Sequence, residues 1–202
     1  MLRFMTLQEG FIGHLELSHS PAHWHRIFDY QPASGVADKG RLEFADDILV
    51  EHGVEASYVE HWRREAGTAQ DEVALWLAAD GSSAVGFLIA ATDAFMYARG
   101  RAEPLPPNTK LSSLLDAAGS LGEAQALFDC EISFGRKGAE EWRIERSSLP
   151  FREGKRFRSE IDDDFDRLEI EDLTSDGIAT KRSWRIVAWE GTPRTARSIR
   201  SV

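Results

Sequence analysis

A repeated alternation of apolar and polar residues, in short runs closed by turn residues, is the feature that most constrains the fold of this chain. It is clearest over residues 24–64, where three or four such runs follow one another. Successive side chains of a strand point to opposite faces, so this alternation predicts half-buried β-strands. The run at residues 73–79 continues the pattern and ends at Asp80-Gly81, a dipeptide typical of tight hairpins.

The whole chain carries about ten runs of this kind, at roughly ten-residue spacing. One short helix is predicted at residues 111–118, where Leu111, Leu114 and Leu115 recur at helical spacing. Regular short strands with turn signals indicate an all-β, antiparallel sandwich or barrel rather than a fold of alternating strands and helices. A barrel is favoured because closure removes the exposed sheet edges that an open sheet must protect.

Domain organisation follows from the same pattern. Residues 1–190 are predicted to form a single β-barrel domain, since all-β barrels reach this length as single units. A division at residues 101–109, where Pro104, Pro106 and Pro107 interrupt the runs, is the alternative. Periodicity is lost after Glu190, so residues 191–202 are predicted to be a flexible tail.

Charge and cysteine content limit the partners and the location. The net charge is −10, from 24 Lys and Arg against 34 Asp and Glu, and an acidic surface repels a phosphate backbone. Nucleic acid is therefore not an expected partner, and a membrane is not expected because no apolar run reaches the roughly 20 residues of a spanning helix. The single cysteine, Cys130, excludes an internal disulfide, which favours a cytoplasmic location. Both a monomer and a homodimer are compatible with the sequence.

A local basic cluster is the exception to the acidic balance. Arg152, Lys155, Arg156 and Arg158 fall within one predicted turn. Runs of like charge are usually solvated surface, and this is the favoured interpretation. The alternative is a contact surface of a protein-interaction module.

The best metal-ligand pattern is His23-x-His25, because two imidazoles separated by one residue project from the same face of a strand. Four other histidines are available to complete a ligand set: His14, His19, His52 and His61. No acidic residue lies at a familiar ligand offset beside the pair. Hydrogen-bonded or solvated histidines are therefore favoured, and no metal or other cofactor is expected.

A candidate acid–base group lies on one predicted strand face, formed by Tyr58, Glu60 and Trp62. A carboxylate that points into a barrel among aromatic rings has a raised pKa and needs Arg or Tyr partners. Glu60 with Tyr58 is thus the candidate catalytic pair if the protein is an enzyme. The favoured alternative is that Tyr58 and Trp62 belong to the core and that Glu60 forms a structural ion pair with Arg26 or Arg143.

Aromatic residues are numerous, with six Trp and eleven Phe. They fill a barrel interior by default, but in a wider barrel they line a cavity for a small apolar ligand. The residues predicted to line such a cavity are Tyr58, Glu60, Trp62, Phe87 and Trp142. The chain lacks the common nucleotide-binding, hydrolase and zinc-protease motifs, which favours a binding protein over an enzyme.

Scattered positions also resemble the HRI1-like family of fungal proteins and their bacterial relatives. The first half carries the resemblance at Asp38-x-Gly40-x-Leu42, Val50-Glu51-His52-Gly53 and Tyr58-x-Glu60-x-Trp62-Arg63. The second half carries it at Cys130-Glu131-x-Ser133-x-Gly135, Trp142 and Ser147-Ser148-Leu149-Pro150-x-Arg152-Glu153-Gly154. The resemblance implies a lipocalin-like (calycin) barrel with no established activity. The function expected is therefore non-catalytic binding of a small hydrophobic or aromatic molecule, with the barrel enzyme and the protein-interaction module as alternatives.

Overall fold

The structure, a computed structural model, describes residues 2–63, 72–138, 140–174, 177–191 and 199. Over these residues the chain is mostly β, with a nearly closed antiparallel barrel of nine strands and a curled sheet of five. The predicted all-β barrel is confirmed.

The five-stranded sheet comes first, and its strands lie in sequence order. They are β1 (Phe11–Glu16), β2 (Ala22–Asp29), β3 (Asp38–Ala45), β4 (Ile48–Gly53) and β5 (Val59–Arg63). The stretch that shows the alternation most clearly therefore forms a sheet of its own beside the barrel.

The barrel is built from the nine later strands. They are β6 (Val73–Ala79), β7 (Val85–Ala91), β8 (Ala94–Arg99), β9 (Glu131–Lys137), β10 (Trp142–Ser147), β11 (Arg156–Phe157), β12 (Ser159–Ile161), β13 (Arg167–Leu173) and β14 (Ala179–Gly191). Their order in the sheet is β11-β10-β9-β8-β7-β6-β14-β13-β12. The two edge strands, β11 and β12, are separated in the chain by Arg158 alone. The chain itself therefore brings the two edge strands next to one another, and the sheet is nearly closed into a barrel.

The described strands number fourteen, more than the sequence predicted. Strands β11 and β12 have two and three residues, too few to show an alternation, and they occupy part of the predicted basic turn. Strand β14 begins at Ala179, and its first residues are mostly polar, so an alternation of apolar and polar residues does not mark its start.

Three short α-helices are described where one was expected: α1 (Leu2–Met5), α2 (Leu111–Ala117) and α3 (Leu121–Ala126). Helix α2 confirms the prediction. Helix α3 has a capping signal, since Ser120 accepts a hydrogen bond from the Glu123 amide and the Glu123 carboxylate accepts one from the Gly119 amide. None of the described helices has the length and apolar character to span a membrane.

An apolar core fills the barrel. Inward residues of opposite strands meet there, including the fully buried Leu75, Leu88 and Leu168. The five-stranded sheet packs against the outer face of the barrel through Ile12 and Phe28, which contact the cluster of Phe87 and Ala98.

The predicted boundaries lie as follows. Residues 101–109 belong to the connection between β8 and β9, which are neighbours in the barrel. The predicted tail at residues 191–202 lies outside the described residues except for Gly191, which ends β14, and Ile199. The side chain of Ile199 is buried in the barrel core.

Candidate functional site

One end of the barrel interior is occupied by charged side chains, which we call the ionic network: Arg99, Asp129, Glu131, Arg152, Asp172 and Arg182. Strand register brings them together. Arg99 on β8 lies directly opposite Glu131 on β9. Asp172 comes from β13, Arg182 from β14 and Arg152 from the 3-10 helix Pro150–Arg152. Four side chains are almost fully buried: Arg99, Glu131, Arg152 and Asp172.

Each buried charge of the network faces an opposite charge. Arg99 lies 2.6 Å from Asp129 through Nη1 and 3.2 Å from Asp172 through Nε. Arg152 donates from Nε to Glu131 over 3.0 Å, and Arg182 contacts Asp172. Three guanidinium groups balance three carboxylates, so the network is neutral as a whole. Such compensation is what a low-dielectric interior requires of buried charge.

Electrostatics keep Asp172 ionised in spite of burial. Burial favours the neutral acid, but the guanidinium groups of Arg99 and Arg182 outweigh it and hold the pKa of Asp172 below its ordinary value. The same contacts raise the pKa of Arg99 although burial opposes this. Asp172 and Arg99 therefore remain charged at neutral pH.

The ionic network is not fully satisfied within the described part of the chain. Arg152 Nη2 and Glu131 Oε2 are buried without a hydrogen-bond partner there, as is the Tyr97 hydroxyl on the neighbouring strand. Ser133 donates a hydrogen bond to Glu131 Oε1 over 2.7 Å. Only one oxygen of that carboxylate therefore receives a hydrogen bond within the described residues. Unpaired buried polar atoms are costly, and they concentrate at sites that hold water or ligand.

A half-open cavity of about 320 Å³ lies over the network at this end of the barrel, and we call it the mouth cavity. Arg99, Asp129 and Arg182 contribute its charged surface. Trp184, Ala79 and Ala84 contribute an apolar wall. The remaining lining residues are Ser82, Gly100, Ala102, Thr174, Thr180, Lys181 and Ser183.

Below the network the interior is packed with aromatic rings. Trp142 stands 5.1 Å from Phe95 between ring centroids, and Phe157 stands 4.8 Å from Phe95. Tyr97 completes the stack at 5.3 Å from Phe157. Trp142, one of the predicted ligand-lining residues, therefore lies in the filled part of the barrel and outside the lining of the mouth cavity.

A second buried carboxylate, Glu51, lies in the five-stranded sheet. Its exposed fraction is 1%. The indoles of Trp24 and Trp62 donate to its two oxygens over 3.1 Å each, and the Tyr58 hydroxyl donates to Oε1 over 3.0 Å. We call these four residues the Glu51 cluster. Gly40 lies beneath the carboxylate, where any Cβ would collide with it.

Glu60 lies directly opposite Glu51 on β5 but is exposed. It makes no hydrogen bond or ion pair within the described residues. Partial burial, then the charges of Glu51 and Asp38, raise the pKa of Glu60. Tyr58 bonds Glu51 and Asp38 instead, and Arg26 is paired with Asp29 and Asp38. The buried carboxylate of this region is therefore Glu51, which the sequence analysis did not select as a site residue.

The five predicted ligand-lining residues lie in three places. Glu60 and Trp62 lie on β5, and Tyr58 immediately precedes it. Trp62 stacks on Trp24 with ring centroids 5.5 Å apart. Phe87 lies on the outside of the barrel, with its ring centroid 6.4 Å from that of Phe28. Trp142 lies inside it.

The predicted basic turn is divided by the fold. Arg152 points into the barrel as a member of the ionic network, whereas Arg156 pairs with Glu141 and Arg158 with Glu171 at the surface.

The single cysteine, Cys130, is buried. Burial raises the pKa of its thiol to about 11, which makes it a poor nucleophile at neutral pH.

His23 and His25 lie on β2 with their rings 3.9 Å apart, and the fold brings Glu16 of β1 beside them. A carboxylate therefore accompanies the histidine pair, which spacing along the sequence had not indicated.

Residues missed by the sequence analysis are chiefly Arg99 and Asp172. Each sits at an inward position at the end of an apolar run, Arg99 after Phe95 and Tyr97, and Asp172 after Leu168 and Ile170. A charge that continues an inward apolar series was the available signal.

Comparison of the chain with protein-family models, curated proteins and solved structures finds no match in any of the three.

Proposed function

We propose that this protein is a non-catalytic, lipocalin-like barrel that binds a small aromatic molecule in the mouth cavity. The observation that carries the proposal is the cavity itself, whose volume of about 320 Å³ lies at the small end of the range for ligand pockets. Its lining combines an apolar wall with a few fixed polar groups, as such pockets usually do.

The lining favours a ring that carries a hydrogen-bond-accepting group. The Trp184 indole with Ala79 and Ala84 offers apolar contact for the ring. Three cations, Arg99, Lys181 and Arg182, face the cavity against one carboxylate, Asp129. A carboxylate or another acceptor on the ligand would find guanidinium donors there.

Preorganisation supports recognition by Arg99. Its side chain is 3% exposed, and its guanidinium is held by Asp129 and Asp172 before any ligand arrives. A donor that is already immobilised loses little conformational entropy on binding. The ionic network thus serves as the rigid floor of the cavity.

The enzyme alternative has less support. Its central residue, Glu60, is exposed, and the buried neighbour Glu51 already receives three hydrogen bonds from neutral donors. A carboxylate held by three donors in this way stabilises the sheet.

Membership of the HRI1-like family and a cytoplasmic location are parts of the same proposal. Residues that carry the resemblance include Glu51 and Gly40 of the Glu51 cluster region, and Glu131 and Arg152 of the ionic network. Scattered similarity of this kind is expected where buried charges need particular partners.

The test uses the fluorescent aromatic sulfonate 8-anilinonaphthalene-1-sulfonate as probe, together with native mass spectrometry of freshly purified protein. Thr180→Trp places an indole in the mouth cavity, whereas Val187→Trp places one on the same strand at an exposed position outside the lining. Binding of the probe, or of a co-purifying molecule, should fall at least about tenfold in Thr180→Trp, a loss of about 1.4 kcal/mol. Val187→Trp should bind as the unmodified protein does.

Equal binding by the two variants would overturn the proposal, provided that both melt near the temperature of the unmodified protein. Failure of the unmodified protein to bind the probe or to retain any small molecule would overturn it as well.

A further inference from the structure

Four potential metal ligands occupy one face of the β1–β2 hairpin. The register pairs Glu16 with His23 and His14 with His25. Residues directly opposite one another in an antiparallel pair project to the same side, and so do residues two apart on one strand. The four side chains therefore form a compact grid at the end of the five-stranded sheet.

Three of these side chains are close enough to share one ion. The ligand atoms of Glu16, His23 and His25 all lie within 4.8 Å of one another. His25 Nε2 and Glu16 Oε2 are 2.8 Å apart. Tetrahedral ligands at the usual zinc distances of about 2.0–2.1 Å are separated by roughly 3.4 Å, so small rotations of part-exposed side chains would complete the geometry.

We propose that Glu16, His23 and His25 form a surface binding site for a first-row divalent transition-metal ion, with zinc as the best match. Two imidazole nitrogens and one carboxylate oxygen are ligands that zinc accepts, and a fourth position stays open to water. His14 flanks the site, its ring stacked on His25 at 4.7 Å between centroids.

The carboxylate of Glu16 is held in place beside the histidines. Ser18 donates a hydrogen bond to Glu16 Oε1 over 2.6 Å, and Glu16 Oε2 faces His25 Nε2. Metal binding needs a deprotonated carboxylate and neutral imidazoles, so zinc binding should weaken as the pH falls.

One neighbouring charge opposes the ion. Lys39 on β3 lies directly opposite His23. A cavity of about 230 Å³ lies at this place and is lined by Glu16, His19, Pro21, His23 and Lys39. The ammonium of Lys39 repels a cation, which lowers the expected affinity. Removing the positive charge of Lys39 should therefore strengthen binding of the metal ion.

The experiment is isothermal titration of the intact chain with zinc chloride in a buffer that does not bind zinc. One equivalent should bind to the unmodified protein. Loss of a group that only hydrogen-bonds to a metal ligand weakens metal binding by roughly 10–100-fold. The double variant His23→Ala, His25→Ala loses two ligands and should weaken zinc binding by more than that. The matched control, His52→Ala with His61→Ala, removes two exposed histidines of β4 and β5 and should bind as before.

Two further variants make the assignment specific. Glu16→Gln should weaken binding by about tenfold or more, and Lys39→Gln should strengthen it. Cobalt binding should produce visible absorption bands that the His23→Ala, His25→Ala double variant lacks. Melting temperatures without metal report whether each variant is folded.

Absence of stoichiometric zinc binding by the unmodified protein would overturn the proposal. Equal loss in the two double variants would also overturn it, because the zinc would then be held by surface histidines in general.

Discussion

The barrel and the five-stranded sheet each bury a glutamate, and they stabilise it in different ways. Glu131 in the barrel is 0% exposed and faces two arginines, Arg99 and Arg152. Glu51 in the sheet is 1% exposed and faces two indoles and a phenol. The barrel thus neutralises its buried charge with opposite charge, whereas the sheet solvates its buried charge with neutral donors.

The two solutions differ in what they demand of the chain. The donors to Glu51 come from β2, from β5 and from the residue just before β5, so the whole cluster lies within residues 24–62. The ionic network joins side chains from residue 99 to residue 182, and each one needs a partner that is distant in sequence. Loss of one arginine leaves a buried negative charge uncompensated. Loss of one neutral donor leaves a carboxylate that still accepts hydrogen bonds from the remaining donors.

The largest expected effect is that of Arg99→Met. The substitution leaves Asp172 and Glu131 buried beside a neutral side chain, so the free energy of unfolding should fall by about 3–5 kcal/mol. Urea denaturation measures it. The control is Arg167→Met, which removes an exposed ion pair with Asp80 and should leave the free energy of unfolding nearly unchanged, because water and salt screen exposed ion pairs. A loss below about 1 kcal/mol for Arg99→Met would mean that the network does not hold the barrel end together.

A smaller effect is expected for Glu51→Gln. The amide keeps one acceptor oxygen but turns an N–H toward an indole donor, and the charge that strengthened the hydrogen bonds is lost. The free energy of unfolding should fall by about 1.5–3 kcal/mol. Glu43→Gln, an exposed position on β3, serves as control and should be nearly neutral. If both variants unfold alike, Glu51 contributes nothing through its three donors.

The smallest effect is a difference in pH dependence with opposite signs in the two regions. The folded pKa of Asp172 lies below its ordinary value of 3.8, so its contribution to stability is present above that pH and is lost as the pH falls. The folded pKa of Glu60 lies above its ordinary value of 4.5, so its ionisation destabilises the sheet as the pH rises.

Stability curves of Asp172→Asn and Glu60→Gln against pH check these signs. The deficit of Asp172→Asn relative to the unmodified protein should shrink in acid. Glu60→Gln should gain on the unmodified protein as the pH rises past 4.5, by a small amount because the side chain is exposed. Parallel curves for either variant would contradict its assignment.

The alternation in the sequence places Tyr58, Glu60 and Trp62 on one strand face, but it does not show how deeply each of them is buried. Tyr58 and Trp62 do surround a buried carboxylate, but it is Glu51 on β4, because the side chain of Glu60 is left at the exposed side of the outer strand. Alternation identifies which residues share a face. It does not identify which of two opposite glutamates is covered, since that depends on the strands and rings packed around each.

The histidine pair shows the same limit. His23 and His25 were recognised from their spacing on one strand, but Glu16 joins them only through the β1–β2 register. A ligand set drawn from two strands has no fixed offset in sequence, so a search by spacing cannot find its third member.

The sequence alone determined the all-β class and most of the longer strands and turns, because side-chain alternation and turn chemistry are local and act over a few residues. Barrel closure at Arg158 and the pairing of Arg99 with Glu131 and Asp172 were decided only by the tertiary structure. Both depend on contacts between residues far apart in the chain. Burial and charge compensation exist only once those residues have met.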